Sequence, residues 1–159
     1  MQITIREPGS AITHFIGMML AIFAAIPLLV KAGLSSTSMS LGAMTVFMAS
    51  MILLYGASAA YHSVNLTGKA LRVFRKLDHM MIFVLIAGSY TPVCLIVLGG
   101  SLGYALLALV WGIALAGMII KACWITCPKW FSSAIYIAMG WVCVLVFGRL
   151  LDTLAPTAF

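Results

Sequence analysis

Long apolar runs alternate along the chain with short clusters of charge. The charge-free stretches are Pro8 to Val30, Ala32 to Gly68, His79 to Ile120 and Trp130 to Gly148, which are 23, 37, 42 and 19 residues long. A helix crosses a bilayer core with about 20 apolar residues, so these four stretches hold five crossings. The second opens on the polar Ser35-Ser36-Thr37-Ser38 and holds one crossing, whereas the third breaks at Gly99-Gly100-Ser101 and holds two. The expected spans are 11–31, 41–62, 79–98, 102–121 and 131–151, a single transmembrane domain over residues 1–159. The expected fold class is all-α, a polytopic membrane helix bundle. Apolar residues surround every span, as on helices that are buried or face lipid. Small residues mark the close approaches instead, at Gly56-Ala57-Ser58-Ala59-Ala60 and at Ala87-Gly88-Ser89. Pro27 and Pro92 fall inside spans, where neighbouring helices have to satisfy the backbone groups that proline frees.

Composition excludes a soluble protein: 64% of the residues are hydrophobic and 8% charged, against roughly 25% charged in a soluble domain. Nine Lys and Arg against three Asp and Glu leave a net charge of +6. A nucleic-acid binder spreads such charge over a dense basic surface; here it lies in clusters between apolar runs, so membrane lipids and not nucleic acid are the expected partners. With the amino terminus inside, Arg6, Lys69, Arg72, Arg75, Lys76, Lys121 and Lys129 are cytoplasmic, leaving Lys31 and Arg149 outside. Residues 1–10 lack the pattern of a cleaved leader, and none is expected. The connection 63–77 mixes four cations with Leu66, Leu71, Val73, Phe74 and Leu77. That mixture suits a short helix lying on an anionic leaflet, and equally a solvated basic loop. Cys94, Cys123, Cys127 and Cys143 indicate no disulfide framework. Cys123 and Cys127 are four apart but lack further ligands nearby, and read as small apolar filler.

Ionisable groups inside a membrane are costly and are functional candidates by default. His14 lies in the first turns of span one, His62 in the last turn of span two, and Asp78 and His79 open span three. Because spans alternate in direction, all four share one depth, with Glu7 just outside. Ser58 and His62, spaced i and i+4, point from one face of the second span. An imidazole facing a carboxylate is what a zinc site uses, the His as ligand and the Asp on metal-bound water. Asp78 and His79 point about 100° apart on a helix, so at most one of them faces His62. The same residues also suit a plain hydrogen-bonded interface near the headgroups.

Glu7-Pro8-Gly9-Ser10-Ala11-Ile12-Thr13-His14, Tyr55-Gly56-Ala57-Ser58-Ala59-Ala60-Tyr61-His62, Leu77-Asp78-His79 and Ala87-Gly88-Ser89-Tyr90-Thr91-Pro92, in that order, resemble the bacterial hemolysin III family. That family groups with the progestin and adipoQ receptors and the alkaline ceramidases. The resemblance implies seven spans in the inner membrane, a cytoplasmic amino terminus, and a zinc near the cytoplasmic face. One His of span two and a His-x-x-x-His of span seven would hold the metal. Carried over by motif, His62 is the zinc ligand, Asp78 holds the metal-bound water, and Ser58 is an accessory polar group; His14 and Glu7 match the first-span motif.

The chain departs from that pattern in having three histidines and no His-x-x-x-His after residue 79. The resemblance therefore implies either the first five spans of a seven-span chain or a member without the metal site. Five spans leave the ring of helices open, so weak zinc binding and self-association through the open side are expected. Three function classes follow from the resemblance. The first is a zinc-dependent hydrolase of a lipid amide or ester, the second a non-enzymatic sensor or receptor-like regulator, and the third a pore-forming cytolysin. A water-filled pore needs a polar stripe along a full span, and none of the five has one.

The charge asymmetry predicts the topology. Single cysteines placed at Ser36, Ala70, Gly100 and Thr126 on a cysteine-free background should label from outside, inside, outside and inside in turn. A swap between Ala70 and Gly100 would reverse the orientation.

Overall fold

A computed structural model describes residues 5–34, 37–124 and 128–154, and these are helical with no strand. Helix α1 is Pro8–Gly33, α2 is Ser38–Ser63 and α3 is Gly68–Pro92, which widens into a π-helical turn over Val93–Leu98. Helix α4 is Gly100–Cys123, and α5 is Lys129–Trp141, which tightens to a 3-10 stretch over Val142–Val146 before α6, Phe147–Leu154. Five helical stretches are long and apolar enough to cross a membrane, the last being Trp130–Thr153. The protein is thus an all-α, multi-pass membrane protein. Each helix packs along the one before it, α1 on α2, α2 on α3 and α3 on α4, while α5 rests more lightly on α3 and α4.

The third helix differs from its expected start at residue 79. From Gly68 to Pro92 it is one continuous helix, so the turn after α2 is confined to residues 64–67. No proline or glycine interrupts Lys69 to Ala87, and Lys, Ala, Leu and Arg are strong helix formers. The basic stretch is therefore neither a separate surface helix nor a loop but the first turns of α3. At its other end Pro92 lacks the N–H that would continue the α-helical ladder, and the wider turn follows directly. Gly99 and Gly100, at φ of 58° and 55°, then reverse the chain in a left-handed conformation that suits residues without a Cβ.

The fifth span, expected as one helix over 131–151, changes its winding at Val142. That change frees backbone groups, and the Tyr90 hydroxyl meets them: it donates to the carbonyls of Met139 and Gly140, at 2.9 and 2.8 Å, and accepts from the Cys143 N–H at 2.9 Å. Tyr90 belongs to the main buried cluster, with Phe83, Ala87, Cys94, Leu106, Val110, Ala114, Met139 and Val146. Along α4 the buried residues are Gly103, Leu106, Val110, Ala114, Gly117 and Lys121, spaced by three or four, a single seam facing its neighbours. A smaller cluster of Ala21, Ala25 and Met48 joins α1 to α2, and every buried residue of α1 is an alanine. Lipid gives helices no hydrophobic drive to associate, so contact area from close approach has to supply the attraction.

Gly88, Gly103 and Gly117 are where that approach is closest, since a Cβ at Gly88 would strike the Ser50 side chain, one at Gly103 the Cys94 carbonyl and one at Gly117 the Phe83 ring. Gly88→Ala and Gly117→Ala should each lower stability by about 1–3 kcal/mol, read from reversible unfolding in detergent. Gly112→Ala, which meets open space, should cost nothing measurable.

Candidate functional site

The antiparallel packing brings the start of α1, the end of α2, the start of α3 and the end of α4 to one end of the bundle. Three contacts fix this arrangement: Glu7 to His62, Arg75 to Tyr61, and the Lys76 ammonium to the Ala122 carbonyl. Proline at the first position of α1 costs no helical hydrogen bond and leaves Glu7 just outside the helix. There the Glu7 backbone N–H donates to the His62 carbonyl at 3.0 Å, while the Glu7 Oε2 accepts from His62 Nδ1 at 2.7 Å. The chain leading into α1 is thus pinned to the last turn of α2 at two points.

A carboxylate only accepts, so this bond puts the proton of a neutral His62 on Nδ1 and leaves Nε2 with a free lone pair. Further into α1, His14 Nδ1 lies 2.6 Å from the Ser58 Oγ. Ser58 is buried at 4% exposure, whereas the His62 side chain is 17% exposed. The i and i+4 spacing of Ser58 and His62 turns both toward α1, so the His14 ring, bonded to Ser58, meets the His62 ring. Their rings stand edge to face, 5.5 Å between centroids. The ring of Tyr55 lies 6.0 Å from that of His14, in space that Gly17 opens: a Cβ there would press on the Tyr55 ring at 3.0 Å.

Glu7–His62 and His14–Ser58 are therefore two hydrogen-bonded pairs, joined by the contact between their imidazole rings. Asp78 and His79 lie on the neighbouring α3. The Asp78 carboxylate is half-buried, with Oδ2 3.6 Å from His79 Nδ1. His79 Nδ1 donates to the Arg75 carbonyl at 2.8 Å, and the His79 carbonyl accepts from the Tyr136 hydroxyl at 3.0 Å. Cys123 is free and exposed; Cys127 lies outside the described residues.

These donors do not complete the zinc site that the resemblance implies. Among the described residues no three His, Cys, Asp or Glu side chains are grouped to hold a metal. The Glu7–His62 bond does match the way a carboxylate orients a ligating imidazole, but one such ligand falls short of the three or four that a zinc site uses.

Tyr61, Arg6 and Arg75 also meet at this end, and the sequence had marked the two arginines only as topology charges. The Tyr61 hydroxyl accepts from Arg6 Nη2 at 3.3 Å and from Arg75 Nε at 3.1 Å. Arg6 also pairs with Glu7 at 3.0 Å, and its guanidinium carbon lies 4.8 Å from the Tyr61 ring centroid. The bond to Tyr61 raises the Arg6 pKa above its ordinary value, so the group stays a cation. One signal was present in the sequence: Arg6 adjoins Glu7 and Tyr61 adjoins His62, so whatever joins one pair of neighbours brings the other together.

The haemolysin-III related family model matches residues 2–158. Among curated proteins, Hemolysin-3 of Bacillus cereus is 40% identical over 154 residues, covering 97% of this chain and 70% of that protein. The Hemolysin-3 homolog of Bacillus subtilis (strain 168) is 36% identical over 157 residues, 98% of this chain and 73% of that protein. No solved structure matches the chain significantly. With the match running nearly end to end, this multi-pass membrane protein belongs to the haemolysin-III related family.

Proposed function

We propose that the chain sits in the bacterial inner membrane with its amino terminus in the cytoplasm, and that the Glu7–His62–His14–Ser58 cluster hydrolyses an ester or amide of a membrane lipid. The observation that carries this reading is the pairing of two imidazoles, each with its own hydrogen-bonded partner, at one end of the bundle. Two histidines and a carboxylate are costly at a membrane boundary, and three bland residues would pack these helices as well. Their arrangement suits proton transfer. His62 Nε2 takes a proton from water as the water oxygen bonds to the acyl carbon, and Glu7 stabilises the imidazolium that forms. The bond from the acyl carbon to the leaving oxygen or nitrogen then breaks, and His62 returns the proton to the leaving atom. The His14–Ser58 bond holds the second ring against the first. Substrate reaches such a site sideways from the leaflet, past α1, whose outer face carries Ile12, Phe15 and Ile16.

Fatty acid released from a bacterial lipid extract by the chain in vesicles, measured by mass spectrometry, checks this. His62→Gln and Glu7→Gln should each slow release by about 10²-fold, with His79→Gln unchanged. Undiminished release by His62→Gln would sink the reading.

Zinc gives a separate expectation. After dialysis against zinc at on the order of micromolar concentration, the purified chain should retain well under one metal per chain, and His62→Ala should change little. Stoichiometric retention would mean that His14, His79 or the cysteines complete a site with His62.

A further inference from the structure

The corner formed by Arg6, Tyr61 and Arg75 carries more positive charge than its surroundings answer. Two guanidiniums converge on a single neutral hydroxyl, which cannot offset their mutual repulsion. Glu7 is the carboxylate in contact, and it divides its two oxygens between Arg6 and His62. Among the described residues, Arg6 Nη1 is buried with no hydrogen-bond partner. A buried donor of this kind is expensive to leave unmet, more so when it belongs to a charged group. Arg75 bonds Tyr61 through Nε, so its Nη groups are those left for another acceptor.

The surroundings say what kind of anion fits. Lys69 and Arg72 are exposed on the first turns of α3, Arg72 about one turn before Arg75. Large apolar side chains stand exposed among these cations: Ile5 beside Arg6, Val73 beside Arg72, and Leu77 beside Lys76. Water-facing basic patches have no use for such residues, whereas an amphiphile offers an anionic head to the cations and its chain to the apolar side chains. Guanidinium forks match the paired oxygens of a phosphate, and two forks can share one such group.

We propose that the Arg6–Tyr61–Arg75 corner binds the phosphodiester of an anionic phospholipid. Tyr61 holds the two guanidiniums in place, and the phosphate oxygens accept from Arg6 Nη1 and the Arg75 Nη groups. Because Arg6 adjoins Glu7 and Tyr61 adjoins His62, a lipid held by its phosphate here brings its ester linkages toward the His62–Glu7 pair. That consequence, which makes a glycerophospholipid the substrate class, rests on the hydrolytic reading; the binding does not.

The test is a titration of the full chain in neutral maltoside detergent, read by native mass spectrometry. The probes are dioleoylphosphatidylglycerol, dioleoylglycerol with the same chains and no phosphate, and inorganic phosphate. Phosphatidylglycerol should bind, dioleoylglycerol should not, and inorganic phosphate should fail to displace the lipid at equal concentration. Arg75→Gln and Arg6→Gln should each weaken phosphatidylglycerol about tenfold or more, while Lys31→Gln, at the opposite end of α1, stays within about twofold. Tyr61→Phe keeps the ring and loses the hydroxyl, and should weaken binding as well. Equal affinity for dioleoylglycerol overturns the proposal, as does a Lys31→Gln loss matching that of Arg75→Gln, which would mark undirected surface charge. Inorganic phosphate binding as tightly as the lipid overturns the lipid assignment. Intact lipid binding with no fatty-acid release would leave the site standing and remove the hydrolytic reading.

Discussion

A charge with no partner is costly in hydrocarbon, and that constraint decides where nearly everything polar in this chain resides. His14 and His62 lie within the first and last turns of their helices, and each is bonded: His14 to Ser58, His62 to Glu7. Glu7 is the hinge of the arrangement. Its backbone and side chain both reach His62, so the residue that orients the imidazole also ties the entry of α1 to the exit of α2. The same double contact holds Arg6, one residue back, within reach of Tyr61 on α2.

The rest of the bundle answers the second demand of a membrane, attraction between helices that are all equally apolar. Close approach supplies it, through alanines along α1 and glycines facing Ser50, the Cys94 carbonyl and the Phe83 ring. Where the backbone departs from regular α-helix, a neighbour meets its exposed groups. The Tyr90 hydroxyl caps the change of winding in α5. The Trp111 indole N–H donates to Thr91 Oγ1, which itself donates to the Ala87 carbonyl one turn before Pro92 and the π-helical turn. Tight packing in the middle of the bundle leaves its polar chemistry to one end.

That end combines two kinds of group that are seldom adjacent. An imidazole–carboxylate pair, His62 with Glu7, lies beside two guanidiniums that share the Tyr61 hydroxyl. Both are carried by the same chain neighbours, residues 6 and 7 on one side and 61 and 62 on the other. The phospholipid proposed for the guanidiniums has its ester groups only a few bonds from its head, which is why the proposal has one molecule reach both.

The sequence by itself determined the class, the number of crossings and the end of the bundle at which ionisable groups gather. Charge-free length and the alternation of helix direction are one-dimensional quantities, and a bilayer turns them into depth. His14, Ser58, His62 and Glu7 were legible as candidates for the same reason. Their partners were not. Spacing along α2 puts Ser58 and His62 on one face, but which residue of α1 meets each depends on the tilt and rotation of two packed helices. The sequence placed Glu7 just outside the cluster, and the contact between α1 and α2 brought it to His62. Likewise the basic residues before Asp78 read as a connection because hydropathy measures lipid preference and not helix continuity. Only the packed structure extended α3 through them to Gly68 and turned Arg75 from a topology charge into a partner of Tyr61.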